Sequence, residues 1–497
     1  MRVFASLEKK TAWFLLIVLF FFFLLRLPSL FEPYWYGDEG IYQTLGIALK
    51  NDKLLYRDIW DNKPPFIYLL YSVLNSDQFA TRLASLVAGL LSILVFFFLA
   101  KKLFSPPTGR SKIHFFATII FAILLGLPLI EGNIANAENF MLLPILIAAY
   151  IIIKNPKVNS QLSSVTRRIN SQFLTAGFLL SFAFLFKVVA FLDLAAFTIF
   201  IVIVSVRERL NLKSIKNIKV QITSVIIGFI IPIILTTLFF LVNNALVDFL
   251  QATFVQNVGY ISYENEFLIP NGLLFLKAVL LSLFILYIFK IRKILSVTTI
   301  FIVIWFAFSL FNAFFAGRPY PHYLLVLLPS FSLVVALIFW DKKYQKIITL
   351  FLLIAMVFVF NNFHFFSKSI TYYENFISFI IDKKSSTAYR AFFDKKAPID
   401  YEIALFLKPK IDKDSIFIWG NNPQVYKMVG ALPPGKYVAS YHIKGYKDGI
   451  LNTKNAIDKV KPKFIVIMPD QHTIPFSLSG YLPRIQIDNV LVYERVL

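Results

Sequence analysis

Apolar runs of about 20 residues recur along most of the chain, and each is long enough to cross a bilayer as a helix. Runs near 11–31, 79–100, 113–130, 139–153, 173–188, 190–206, 221–242, 271–289, 295–315, 323–340 and 346–366 predict eleven spans. They lack the two-residue alternation of barrel strands, so the predicted fold class is an all-α polytopic membrane protein. The first run follows Arg2, Lys9 and Lys10, is longer than a signal-peptide core and has no small-residue cleavage site. It therefore reads as an uncleaved span. The stretch 173–206 lies between two basic loops. A single helix there would be about 50 Å long and would leave one loop on the wrong side of the membrane. Two short spans turning near Lys187 restore the parity.

The polar segments between the runs divide by charge. One set carries Lys101, Lys102, Arg110 and Lys112; Lys154, Lys157, Arg167 and Arg168; Arg207, Arg209, Lys213, Lys216 and Lys219; Lys290, Arg292 and Lys293; and Lys342, Lys343 and Lys346. The alternate loops at 131–138 and 243–270 contain no Lys or Arg. The excess of cations marks the cytoplasmic side, so the N-terminus is expected inside and the C-terminus outside a plasma membrane. Two non-membrane pieces then face outward. The loop 32–78 carries seven acidic residues. The tail from about 370 reads as a small extracytoplasmic α/β domain, after a transmembrane domain over 1–369. Strands are expected at 414–420, 437–441, 464–468 and 490–494, with helices at Gln424–Val429 and 450–461.

Composition sharpens this picture. With 58% apolar and 17% aromatic residues, 56 of them Phe, the 497-residue chain is far too apolar for an ordinary soluble domain. A net charge of +22 invites nucleic acid as a partner, but the basic residues lie in topology-setting loops and in the tail. No basic-aromatic stripe or nucleic-acid module accompanies them, so none is expected to bind. With no cysteine, disulfides, thiolate metal sites and cysteine nucleophiles are excluded. The tail shows no Gly-rich phosphate loop or metal pattern and reads as a lid or acceptor-docking unit.

Candidate chemistry gathers in the outward loops. Asp38 and Glu39 follow the interfacial aromatics Tyr34, Trp35 and Tyr36. Two adjacent, partly solvated carboxylates repel, which raises the pKa of at least one and suits a general base; solvated loop acids are the plain alternative. Lys63 precedes Pro64 and Pro65, whose fixed geometry holds it near the headgroups, where an ammonium suits a phosphate oxyanion or simply snorkels. Asp58 and Asp61 are placed to neutralise Arg57 and Lys63. Glu131 and Glu138 share the next short loop, with Glu138 at the mouth of a span. Lys187 sits in apolar surroundings and needs a partner, for which Asp193 is near enough in sequence. Arg318 and His322, in the stiff segment Gly317-Arg-Pro-Tyr-Pro-His-Tyr323, together suit a phosphate.

With these residues in order, the chain resembles the GT-C superfamily of polyprenyl-phosphate-sugar glycosyltransferases. The likeness is nearest to the Rgt-like and dolichyl-phosphate-mannose protein mannosyltransferase-type branch, which includes aminoarabinose transferases. It rests on Gly37-Asp-Glu-Gly-Ile-Tyr42, on Tyr56-Arg-Asp58 through Lys63-Pro-Pro65, on Asn136-Ala-Glu-Asn139 and on Gly317-Arg318 through His322-Tyr323, with Leu185-Phe-Lys187 weaker. It covers roughly 10–340. The resemblance implies transfer of a sugar from a polyprenyl-phosphate donor to an acceptor hydroxyl of a glycan, lipid or protein at the outer face. It makes Asp38 the general base with Glu39 beside it, and Glu138 a second acid orienting acceptor or base. Lys63 then contacts the donor phosphate, joined by Arg318 and His322, with Asp61 and Lys187 as further substrate-binding positions. Some relatives hold a divalent metal near the acidic pair; oxygen ligands are available here, but no HxxH-type spacing is, and no cofactor is predicted. A transporter or flippase is the competing class, but the span centres are nearly free of charge and show no internal repeat.

Overall fold

The computed structural model describes residues 8–105, 112–154, 169–207, 212–262, 264–471 and 473–496. Arg2, Arg110, Lys157, Arg167, Arg168 and Arg209, used above as topology markers, lie outside the described residues. Helices run in the order α1 (Lys9–Arg26), α2 (Gly37–Lys50), α3 (Phe66–Val73), α4 (Gln78–Leu103), α5 (Ile113–Gly126), α6 (Ala137–Lys154), α7 (Ser171–Phe186), α8 (Phe191–Ser205) and α9 (Leu212–Val242). They continue with α10 (Leu246–Leu250), α11 (Gln256–Ile261), α12 (Gly272–Ile291), α13 (Val297–Phe314), α14 (Leu328–Trp340), α15 (Gln345–Asn362), α16 (Ser369–Ile380), α17 (Ser386–Phe393) and α18 (Ala397–Leu407). The tail adds β1 (Ile416–Trp419), α19 (Gln424–Val429), α20 (Ser440–Gly445), α21 (Gly449–Val460), β2 (Phe464–Ile467), β3 (Tyr481–Ile487) and β4 (Val490–Arg495).

Every expected span falls on a helix. Among the described residues, nine helical segments are long and apolar enough to cross a bilayer, and the protein is a multi-pass membrane protein. Two expected spans, α5 and α7, are shorter apolar helices of 14 and 16 residues. The break in 173–206 lies where parity requires it. Lys187 leaves the helix with extended backbone (φ −155°, ψ 126°), and one short turn, Val188–Ala190, leads into α8.

Contacts sort the connecting segments into two ends. At one, Tyr36 Oη donates to Glu131 (2.8 Å), Asn62 and Asn257 exchange hydrogen bonds (3.2 and 3.0 Å), and the Trp60 N–H donates to the Lys436 carbonyl (2.8 Å). These join the acidic first loop, the 131–138 and 243–271 segments and the tail. At the other end Thr298 Oγ1 donates to the Leu103 carbonyl (2.9 Å) and Arg292 Nε to that of Val206 (3.3 Å), joining basic loops. The division by charge in the sequence is thus a division in space.

The first loop is itself largely structured, as α2 and α3. Its apolar faces (Ile41, Tyr42, Leu45, Tyr56, Trp60 and Tyr68) share one buried cluster with Phe417, Trp419, Phe464 and Val466 of the tail. The tail sheet has the order β1-β2-β4-β3, with β1 and β2 parallel and the other pairs antiparallel. Three of the four strands expected in the tail form. The fourth, 437–441, does not: Tyr437 makes an isolated bridge to Trp60, and the chain then turns into α20. Its apolar residues pack onto the first loop rather than into a sheet, which gives the same pattern in sequence. The remaining strand, β3, is mostly solvent-facing and lacks a buried alternation.

Candidate active site

A cavity of about 450 Å³ opens where the first loop, the span ends and the tail meet. Asp38, Asp61, Lys63, Glu138, Lys187, Arg318 and His322 all line it, which is every site residue expected from sequence except Glu39. Val188, Val189, Phe315, Ala316 and Val326 give it an apolar flank among the spans.

Asp38 and Glu39 sit in the first turn of α2, where the unpaired helix N–H groups favour anions. Successive residues on a helix point about 100° apart, and the two acids part company. Glu39 turns into the protein and is 3% exposed. Arg82 Nε donates to its Oε1 at 2.6 Å, the Ala135 N–H at 2.9 Å and Tyr71 Oη at 3.4 Å. Arg82 also meets Glu32 (3.1 Å) and donates to the Asn133 carbonyl (2.9 Å), while Tyr372 Oη donates to Glu32 (2.6 Å). Glu39 thus faces away from the cavity that Asp38 lines, and its carboxylate bonds hold α2 to α4.

Asp38 turns toward the cavity, with its side chain about one-third exposed. Tyr42 Oη donates to Oδ2 at 3.2 Å, and the Lys63 ammonium lies 3.4 Å from the same oxygen. Burial works to raise the Asp38 pKa, but Lys63 and then His322 outweigh it and hold the carboxyl below its ordinary value. The expected upward shift from Glu39 is thus replaced by a downward one, because Arg82 absorbs the charge of Glu39.

Lys63 is held by both sides of its backbone. Its N–H donates to Tyr68 Oη (3.1 Å), and Tyr56 Oη donates to its carbonyl (2.8 Å). The ammonium also lies 3.8 Å from Asp61 and 5.0 Å from the centre of the Tyr42 ring. Asp61, 1% exposed, accepts from Tyr68 Oη at 2.7 Å. Glu138, in the first turn of α6, pairs with Lys187. This corrects the pairing expected from sequence: Asp193 instead accepts from Trp305 Nε1 (2.8 Å) deeper in the bundle. Lys187 also lies over the Tyr323 ring at 4.1 Å. His322 points Nδ1 at Glu131 (2.7 Å) and Nε2 toward Glu138 (3.9 Å). Glu131 takes left-handed backbone (φ 57°) to meet it, with Tyr36 Oη on the same carboxylate oxygen.

The cavity thus alternates carboxylates (Asp38, Asp61, Glu138) with cations (Lys63, Lys187, Arg318). Each Lys ammonium carries three donors, so an entering anion can share it with its carboxylate. Among the described residues no three His, Asp or Glu side chains converge as metal ligands.

Sequence reasoning missed Tyr36, Asn257, Tyr441, His442 and Tyr446 as lining residues. The last three belong to the tail and enter on α20 and the residue that follows it. The tail also fixes α2: a Cβ on Gly40 would lie 2.5 Å from the Gln424 backbone nitrogen, and Thr44 Oγ1 donates to the Pro423 carbonyl at 3.2 Å. Gln424 is anchored in turn by Asp400, which accepts from its Nε2 (2.7 Å) and from Asn422 (2.9 Å).

Residues 63–235 match the family described as dolichyl-phosphate-mannose-protein mannosyltransferase. The chain is similar in structure to ArnT from Cupriavidus metallidurans in the apo state, with a TM-score of 0.56, 13% identity, and 98% of this chain and 99% of that one covered. It is similar to ArnT from the same organism bound to undecaprenyl phosphate, with a TM-score of 0.53, 11% identity and 98% of each chain covered. No curated protein sequence matches the chain. The match over 63–235 makes that part of the chain similar to the dolichyl-phosphate-mannose-protein mannosyltransferase family, and the likeness over nearly the full length shows that the chain shares its fold with ArnT.

Proposed function

We propose that this protein transfers a hexosyl or pentosyl unit from a polyprenyl-phosphate donor to an acceptor hydroxyl, and that Asp38 is the general base. The observation that carries this reading is the placing of Asp38 and Lys63 3.4 Å apart in one cavity with Lys187, Arg318 and His322. Displacement at a sugar carbon with inversion needs a base on the incoming oxygen and cations on the departing phosphate. Undecaprenyl phosphate bound by ArnT has the chemistry such a donor leaves behind. The apolar flank among the span ends suits the first isoprene units, with the rest of the chain in the bilayer. The charge division of the loops supports an extracytoplasmic site, with the N-terminus cytoplasmic and 370–497 an outward unit beside the transmembrane 1–369.

The electrostatics give the order of events a rationale. Without donor, Lys63 keeps Asp38 ionised and weakly basic. A donor phosphate that shares the Lys63 ammonium lowers the positive charge felt by Asp38. Its proton affinity then rises at the moment an acceptor hydroxyl is present. The proton passes from the acceptor oxygen to Asp38, the new C–O bond forms, and the old bond's electron pair leaves with the phosphate. Asp38→Asn in membranes supplied with a polyprenyl-phosphate sugar tests this. Transfer should fall by about 10²–10⁴, the range of general-base contributions, with insertion and expression unchanged. Transfer at the wild-type rate would remove Asp38 from the role.

A further inference from the structure

The tail's wall of the cavity carries groups that the transfer chemistry does not use. Asp61 and His442 come from opposite ends of the chain, are 1% and 4% exposed, and both face the cavity. Asp61 Oδ2 is occupied by Tyr68, whereas Oδ1 lies 3.7 Å from His442 Nε2, beyond hydrogen-bond reach. Burial pushes the His442 pKa down to about 4, so the ring is neutral at pH 7. Its Nδ1 is buried with no hydrogen-bond partner, and Trp60 packs edge-on against the ring at 5.1 Å. Of the two neutral tautomers, the one with its proton on Nε2 presents a donor to the cavity beside the carboxylate.

We propose that Asp61 and His442, with Tyr441 and Tyr446 beside them, form a subsite for the hydroxyl-bearing edge and apolar face of a sugar ring. A hydroxyl is the group that donates to a carboxylate oxygen and accepts from an imidazole N–H at once. A phosphate in the same place would meet the Asp61 charge directly. Tyr441 is 48% exposed and Tyr446 half-buried, and aromatic faces attract the polarised C–H groups on one face of a pyranose. The tail thereby helps select substrate, beyond covering the site. This inference rests on the transferase reading for its source of sugar, which is either the donor's own ring or a carbohydrate acceptor.

Saturation-transfer NMR on the purified full chain in detergent, with methyl glycosides as probes, tests the subsite directly. Wild type should give ring-proton signals, and His442→Leu and Tyr441→Ala should reduce them at least fivefold at unchanged melting temperature. His442→Gln, which keeps a donor, should recover part of the loss. In transfer assays His442→Leu should raise one KM about tenfold with a smaller change in kcat. A rise for acceptor assigns the subsite to the acceptor sugar, and a rise for donor assigns it to the donor sugar. Undiminished glycoside signals in both variants, or equal loss of melting temperature in His442→Leu and His442→Gln with both KM values unchanged, would overturn it. If wild type transfers no sugar yet loses glycoside signals on substitution, the transferase reading fails and the subsite stands. If Asp38→Asn abolishes transfer while the His442 and Tyr441 variants bind normally, the reverse holds.

Discussion

Two ionic clusters share the first turn of α2 and have opposite characters. Around Arg82 the charges are fully enclosed: Glu32, Glu39 and the guanidinium use their hydrogen-bonding capacity on one another, on backbone groups and on Tyr372. Around Lys63 the charges border open space and pair at 3.4–3.8 Å, longer than the 2.6 Å of the Arg82 bond. Arg fits the first because its planar fork meets two carboxylates in fixed directions; Lys fits the second because a rotatable ammonium can be shared with an incoming anion. A closed network fixes the helix so that an open one can exchange partners.

The sharpest break in this contrast is Arg82→Ala, which leaves two buried carboxylates without their cation. A loss of about 3–5 kcal/mol is expected, read as loss of a folded peak in detergent chromatography and a collapsed melting transition. Asp38→Asn is the counterpart: transfer falls by orders of magnitude while the melting temperature stays within a degree or two. Glu39→Gln should do the opposite, lowering melting clearly and activity only through misplacement of α2. Equal behaviour of these two neighbours would erase the distinction.

Smaller changes probe how the clusters are coupled. Gly40→Ala forces a methyl against the Gln424 backbone. It should cost about 1–3 kcal/mol, as overpacking does, and weaken transfer by displacing Asp38. Unchanged thermal melting and transfer would show that the tail yields freely. Lys63→Ala removes the main cause of the lowered Asp38 pKa, so that pKa rises. Because the base must be ionised, the acidic limb of the kcat/KM profile should then move to higher pH, with donor KM raised more than acceptor KM. A limb moving down, or an effect on acceptor alone, would contradict the pairing.

The helical bundle was legible because hydrophobic length and loop charge are local properties, and each expected span lies on a helix. That Asp38, Lys63, Glu138, Arg318 and His322 share one cavity was legible because they stand out as ions at span mouths. The pairing of Glu39 was not legible because its partner, Arg82, looks in sequence like one more charge at the start of a span. Lys187 was assigned to Asp193 by nearness in sequence, whereas the break at 187 swings its side chain toward α6. His442, Tyr441 and Tyr446 could not be found at all. No motif precedes them, and they reach the cavity only through the packing of the tail on the first loop.

That packing has a consequence for biogenesis. Asp38 is made early and His442 roughly 400 residues later, which at about 5–20 residues per second is an interval of some 20–80 s. Throughout that time α2 lacks both the tail contacts that fix it and the wall that α20 supplies. The cavity is closed only near the end of translation, so a truncated or still-tethered chain holds Asp38 and Lys63 without the finished vessel around them.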